Sequence, residues 1–207
     1  MTGFAPFADL PVNPSWEAAR ALHGSEIAGH VVRAAQLPTE FGRSLQKLRA
    51  QLLAHRPALV IHLGLAAGRS AISLERVAIN VNDARIPDNA GWQPVDEPVI
   101  EGAPVAYFST LPIKAMRAAI EARGLAAEVS QTAGTFVCNQ VFYGLMHFLA
   151  NEPLLAGTRG GFIHVPLLPE QGLPSMALSD LVSGLQVGIE AALGTRVDLR
   201  QQAGQLS

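Results

Sequence analysis

Residues 127–150 read AEVSQTAGTFVCNQVFYGLMHFLA, in which a short β-like run and a tight turn lead directly into a longer amphipathic stretch. A strand that hands over to a helix through a few small residues is half of a strand–helix–strand unit, and the rest of the chain repeats the pattern. Strand-like runs are VVRAAQL at 31–37, ALVIHLG at 58–64, ISLERVAINV at 72–81, VAYFST at 105–110, AAEVSQ at 126–131 and GGFIHV at 160–165. Helices are expected to begin at Pro14 after Asn13, at Glu40 after Thr39, at Pro112, at about Asn139 and at about Pro174. Asn and Thr are good N-caps, and proline suits the first helical position because it has no N–H to lose. The alternation predicts an α/β fold, a single-domain open, mostly parallel twisted sheet with helices on both faces. No internal repeat, low-complexity tract or linker divides it, so one domain is expected over residues 1–207.

Within the opening stretch Cys138 is the only cysteine of the chain. A thiol in the first turn of a helix faces unpaired backbone N–H groups and the positive end of the helix dipole, which favour the thiolate and can supply an oxyanion donor. The same residue type also serves as a small, inert core side chain. A base is available in GGFIHVPLLPE, where His164 ends an apolar strand just before Pro166, at a strand end of the kind where open α/β sheets place their sites. The other histidines read as loop, helix-end or core residues: His23, His30, His55, His62 and His147. Glu75, flanked by Leu74 and Val77 in a strand-like run, is a carboxylate that must be paired. It either orients the imidazole or pairs with Arg76 or another arginine.

The segments TGFAPF at 2–7, NPSWE at 13–17, ISLERVAINVNDARIPDN at 72–89, SQTAGTFVCNQVFYGL at 130–145 and GGFIHVPLLPEQ at 160–171 closely resemble the pyroglutamyl peptidase I family of cysteine peptidases. The resemblance covers almost the whole chain in the family's order. It implies a catalytic domain with a Cys-His-Glu triad at Cys138, His164 and Glu75, acting on peptides with an N-terminal pyroglutamate. It also implies a mostly apolar pocket for the lactam ring, with substrate contacts from Phe4, Phe7, Asn13, Arg85, Ile86, Phe136 and Val137, Arg85 lying near the oxyanion or the Glu75 network. The chain departs from the family pattern at Ala5, Ala8, Asp9, Leu65 and Leu167, positions that bear on substrate affinity and subunit contacts rather than on the triad. The first strand is expected to be short.

Formal net charge is −2 with no basic block, which gives no electrostatic footprint for nucleic acid or an anionic membrane. A lone cysteine forms no intrachain disulfide and suits a reducing compartment, so a cytoplasmic setting is expected. The longest apolar runs fall short of a membrane span. Charged residues make up only 15%, below the usual quarter, as expected of a homo-oligomer, a tetramer or a dimer, that buries surface between subunits. No GxSxG elbow, P-loop, HExxH or clustered Cys/His set is present, and no cofactor or metal is called for. GLAAGRS at 64–70 lacks dinucleotide-fingerprint spacing and reads as a turn after a strand, near the site by the family resemblance. Asp83 to Ala103 reads as a long loop, of a length that is often functional.

Overall fold

Short apolar runs and longer amphipathic ones resolve, in a computed structural model that describes residues 1–8 and 10–204, into ten strands and five α-helices. In chain order these are β1 (Thr2–Phe4), α1 (Pro14–Ala21), β2 (Glu26–Ile27), β3 (His30–Val31), β4 (Ala35–Leu37), α2 (Arg43–His55), β5 (Leu59–Leu65), β6 (Ile72–Glu75), β7 (Val77–Ile79), β8 (Ala106–Phe108), α3 (Ile113–Ala122), β9 (Ala127–Ser130), α4 (Val137–Asn151), β10 (Arg159–Val165) and α5 (Leu178–Gly194). Asp9 lies outside the described residues.

The main sheet has the order β4-β1-β5-β10-β6-β9. All neighbours in it are parallel except β10 and β6, so the sheet is mostly parallel as expected. The exception has a simple cause. Parallel strands need a crossover of about a dozen residues or more, whereas β5 and β6 are joined by 66–71 alone, and β6 therefore runs back.

β5 and β10 form the centre, paired in register from Leu59↔Arg159 to Leu65↔Val165. Their side chains alternate between two cores, as the period of two requires. Ile61, Leu63, Ile163 and Val165 face α1, α3 and α5, packing with Ala18, Met116, Ile120, Leu181 and Leu185. Val60 and Phe162 face α2 and α4, packing with Leu48, Leu52, Val141 and Phe142. In β6, Ile72 and Leu74 join the first core, which leaves Ser73 and Glu75 on the second face.

Several elements differ from the sequence reading. The expected strand 72–81 breaks at Arg76, whose N–H bonds Ser130 O and whose carbonyl accepts from Ser109, while its side chain donates to Gln131 Oε1 and to Ala203 O. Beyond the break β7 pairs with β8 in a separate hairpin, so 105–110 does not enter the main sheet. The run 31–37 divides into β3, which turns back on β2 through Ala28 and Gly29 at positive φ, and β4. The helix expected at Glu40 starts at Arg43, because Gly42 before it has φ +71°, outside the helical region, while Phe41 N–H is held by Asp88 Oδ2 and Gly42 N–H by Gln140 Oε1. The helix expected near Pro174 starts at Leu178, after Met176 N–H has bonded Leu167 O. α4 begins at Val137 rather than Asn139. No helix among the described residues is long and apolar enough to cross a membrane.

β1 lies so close to α1 that a Cβ on Gly3 would sit 2.4 Å from Ser15 O and 2.6 Å from Trp16 Cα, both backbone atoms that cannot yield. Gly3→Ala is therefore expected to cost about 3 kcal/mol, the upper end for overpacking. Urea denaturation measures this, and an unchanged midpoint would contradict the close approach.

Candidate active site

The pleat that alternates the two cores also decides which chemical groups meet. His164 has the parity of Phe162, Gly64 that of Val60, and Glu75 lies opposite Ile72 and Leu74, so all three face α4. His164 and Gly64 are direct neighbours across the parallel pair. A Cβ on Gly64 would lie 2.9 Å from Cys138 Sγ. The thiol thus occupies the space that a side chain at Gly64 would fill, beside the imidazole on the next strand.

His164 Nδ1 donates to Glu75 Oε1 at 2.7 Å, and Arg69 Nη1 donates to the same oxygen at 2.8 Å. Glu75 is fully buried, and its Oε2 has no hydrogen-bond partner among the described residues. With Nδ1 held by the carboxylate, Nε2 is the nitrogen left for the thiol. The imidazole also packs on Phe162, with ring centroids 4.8 Å apart.

Cys138 is the second residue of α4, whose N-cap Phe136 supplies no side-chain acceptor. The first N–H groups of a helix have no intrahelical partner, so this end offers donors to an anion. The helix is locked in place by Asn139, whose Oδ1 accepts from Ile79 N–H while its Nδ2 donates to Ile79 O and Val81 O. Despite the helix end, burial pushes the Cys138 thiol up to about 12; Glu75 adds to the rise and Arg69 opposes it. Burial and the Glu75 charge thus oppose the thiolate that the helix end favours.

Phe136, immediately before α4, stands 5.2 Å from Phe7 and 5.2 Å from Phe41 by ring centroids, and Phe41 meets Trp92 edge-on. The turn carrying Phe7 is held by Ala5 O, which accepts from both Asn13 Nδ2 and Thr39 Oγ1, and by Asn89 Nδ2 on Pro6 O. The loop 83–103 is tied to the segment before Cys138 by paired bonds between Asp83 and Thr135.

A sequence model of the pyroglutamyl peptidase family matches residues 1–195. The chain belongs to that family. A pyrrolidone-carboxylate peptidase of Cupriavidus taiwanensis is 58% identical over all of this chain and 97% of its own length, and one of Bacillus cytotoxicus is 51% identical over 99% of this chain and 96% of its own. Pyroglutamyl peptidase I of Bacillus amyloliquefaciens superposes with a TM-score of 0.93 at 45% identity, covering 96% of this chain and 97% of that one. Pyrrolidone carboxyl peptidase of Thermococcus litoralis gives 0.90 at 36% identity, covering 93% and 91%.

Of the residues that resemblance to the pyroglutamyl peptidase family nominated, the structure brings Cys138, His164 and Glu75 to one sheet face, and Phe7 to Phe136. The other five have the following surroundings. Phe4 is only 2% exposed, packed against Phe162, because it ends β1, an inner strand of the sheet. Val137 is fully buried in the core between sheet and α4. Asn13 caps α1 through Ser15 N–H and pins Ala5, so its amide positions the Phe7 turn. Arg85 is solvent-exposed, and the arginine on Glu75 is Arg69. Ile86 is 41% exposed on the long loop. Sequence reasoning missed Arg69, Gly64 and Phe41. The first two lie in GLAAGRS, where a glycine ending a central strand was the available signal. His62 is the core histidine expected: buried beside Thr2 Oγ1, it is pushed down to about 3 by burial, the Met1 amine adding to the effect. Among the described residues no cluster of three His, Cys, Asp or Glu side chains could hold a metal. A cavity of about 460 Å³ lies at the opposite end of β5, lined by Leu59, Val60 and Ile61, away from the thiol.

Two measurements check this geometry. Because the thiol is raised, alkylation of the free protein by iodoacetamide should accelerate by about tenfold per pH unit from pH 7 upward, following the thiolate fraction; a rate already level at neutral pH would contradict it. Gly64→Ala puts a methyl 2.9 Å from Sγ and 2.7 Å from Phe162 Cζ. It should lower kcat/KM roughly a hundredfold, the scale of an ångström's misplacement, and an unaffected kcat/KM would show that the thiol does not sit there.

Proposed function

We propose that this chain is a cysteine peptidase that removes N-terminal pyroglutamate from peptides, with Cys138 as nucleophile, His164 as general base and then acid, and Glu75 as the group that orients the imidazole. The observation that carries the reading is the buried Glu75–His164 bond on the sheet face where Cys138 Sγ fills the space over Gly64. His164 Nε2 removes the thiol proton as Sγ attacks the pyroglutamyl carbonyl, and Glu75 stabilises the imidazolium. The Cys138 N–H and the uncapped end of α4 receive the oxyanion, a donor of that kind contributing roughly 3 kcal/mol. His164 then gives its proton to the departing amine of the peptide. Water, deprotonated by the same imidazole, hydrolyses the thioester and frees pyroglutamate.

The substrate class follows from charge as well as from the family. A pyroglutamyl residue is a lactam with no α-ammonium, so its site needs flat apolar walls and a few fixed hydrogen bonds. Phe7 and Phe136 supply such walls, with Phe41 behind them. Glu75, the buried carboxylate at the thiol, is already committed to His164 and Arg69 and does not serve as an ammonium anchor.

A cytoplasmic setting and assembly as a tetramer or dimer belong to the same proposal. The first is supported by the single thiol kept for chemistry. The second is supported by the low charge content and by Val105 and Phe108, which are 87% and 70% exposed around β8. Sedimentation of the purified protein tests the assembly.

Incubation with the 7-amido-4-methylcoumarin derivatives of pyroglutamate, proline and alanine tests the activity. Release should be selective for pyroglutamate by a factor approaching 10⁴, the scale on which unpaired site donors reject an analogue lacking the carbonyl. Cys138→Ala and His164→Ala should be inactive yet folded, with Glu75→Gln milder than either. Discrimination below about tenfold, far short of that scale, would instead favour a broader cysteine hydrolase, and full activity in Cys138→Ala would remove the mechanism.

A further inference from the structure

Glu75 is a fully buried carboxylate with one oxygen doubly engaged and the other without a partner. A buried charge of this kind is tolerated only when a countercharge is close. Arg69 supplies a positive charge from the turn 66–71, on the same carboxylate oxygen that holds His164 Nδ1. Among the described residues, the groups set against Glu75 include Arg69 from this turn, His164 from β10 and Cys138 from α4; on β9 its register partner is the neutral Ser130, with Glu128, which accepts from Ser73 Oγ, one repeat along the same face.

Arg69 has a second contact. Its Nη2 donates to Thr132 O at 3.1 Å, in the turn that leads into α4. Thr132 is itself held by Ser130 Oγ and in turn caps Gly134 N–H through Oγ1. The guanidinium therefore bridges the carboxylate that orients the base and the backbone that delivers the nucleophile. A planar fork with several donors suits this double task, which an ammonium cannot reproduce in full.

We propose that Arg69 is a positioning residue for the reaction, coupling the Glu75–His164 pair to the turn that presents Cys138; the inference rests on the triad reading above. Arg69→Met is expected to lower kcat toward the pyroglutamyl coumarin substrate roughly tenfold to a hundredfold, with KM nearly unchanged. Its alkylation profile with iodoacetamide should move to higher pH, because the cation that opposes the rise of the Cys138 thiol is gone. Arg69→Lys should restore the alkylation profile and only part of kcat. In a Glu75→Gln background Arg69→Met should lower kcat little further, since the two act as a unit.

Wild-type kcat and an unmoved alkylation profile in folded Arg69→Met would overturn the proposal. So would a lower melting temperature with an unmoved profile and the same loss of kcat in the Glu75→Gln background, which is what a merely structural arginine predicts. If Arg69→Met does not fold, Arg69→Gln, which is neutral but keeps donors, is read by the same two measurements with the same outcomes. Activity retained in Cys138→Ala or His164→Ala would defeat the triad reading instead, so the two failures are distinguishable.

Discussion

A thiol from α4 can approach the sheet face that carries an imidazole and a carboxylate because Gly64 has no side chain. The seven-residue register of β5 with β10 puts His164 beside that glycine. The thiol of α4 then settles in the vacant volume, near enough that a methyl group would collide with it. The surrounding structure maintains this approach. Asn139 fastens α4 to the backbone of β7 and the residues after it, and the parity of β6 turns Glu75 toward the same face. Arg69 joins the carboxylate to the turn before the helix. Removing the constraint at Gly64 would leave each functional group intact and the constellation apart.

The second determinant is electrostatic. The end of α4 points donors at the thiol, and on that ground alone a thiolate is expected. Burial and the neighbouring carboxylate push the other way and raise the thiol. In the proposed mechanism, activation belongs to the encounter with substrate, when His164 takes the proton and the helix end meets the charge that moves onto the carbonyl oxygen.

Much of this was legible in the chain. The alternation FIHV, with Phe162 and His164 on one side and Ile163 and Val165 on the other, carries the parity that faces the base toward α4, and SLE does the same for Glu75. The two sides of the sheet and the positions of the central strands follow from apolar runs alone. What escaped depends on partners distant in sequence. Nothing local stops ISLERVAINV at Arg76; the break follows from Ser130, Ser109 and Asn139 taking its backbone groups and those of Ile79. Arg76 is the arginine adjacent to Glu75, yet its side chain goes to Gln131, and the pairing falls to Arg69 across a turn. Asn13 reads as a helix cap and is one, and its amide also reaches Ala5 O. At Cys138 a sequence displays the helix terminus but not the surroundings, Glu75 among them, that push the thiol up.

The most direct test of the central claim is to quench the enzyme during turnover of a reactive pyroglutamyl ester and weigh the intact protein and its peptides by mass spectrometry. The account predicts one pyroglutamyl group in thioester linkage on Cys138, accumulating in Glu75→Gln and absent from Cys138→Ala. Turnover with no adduct on Cys138 under conditions where the acyl-enzyme should accumulate, or an adduct on another residue, would contradict it.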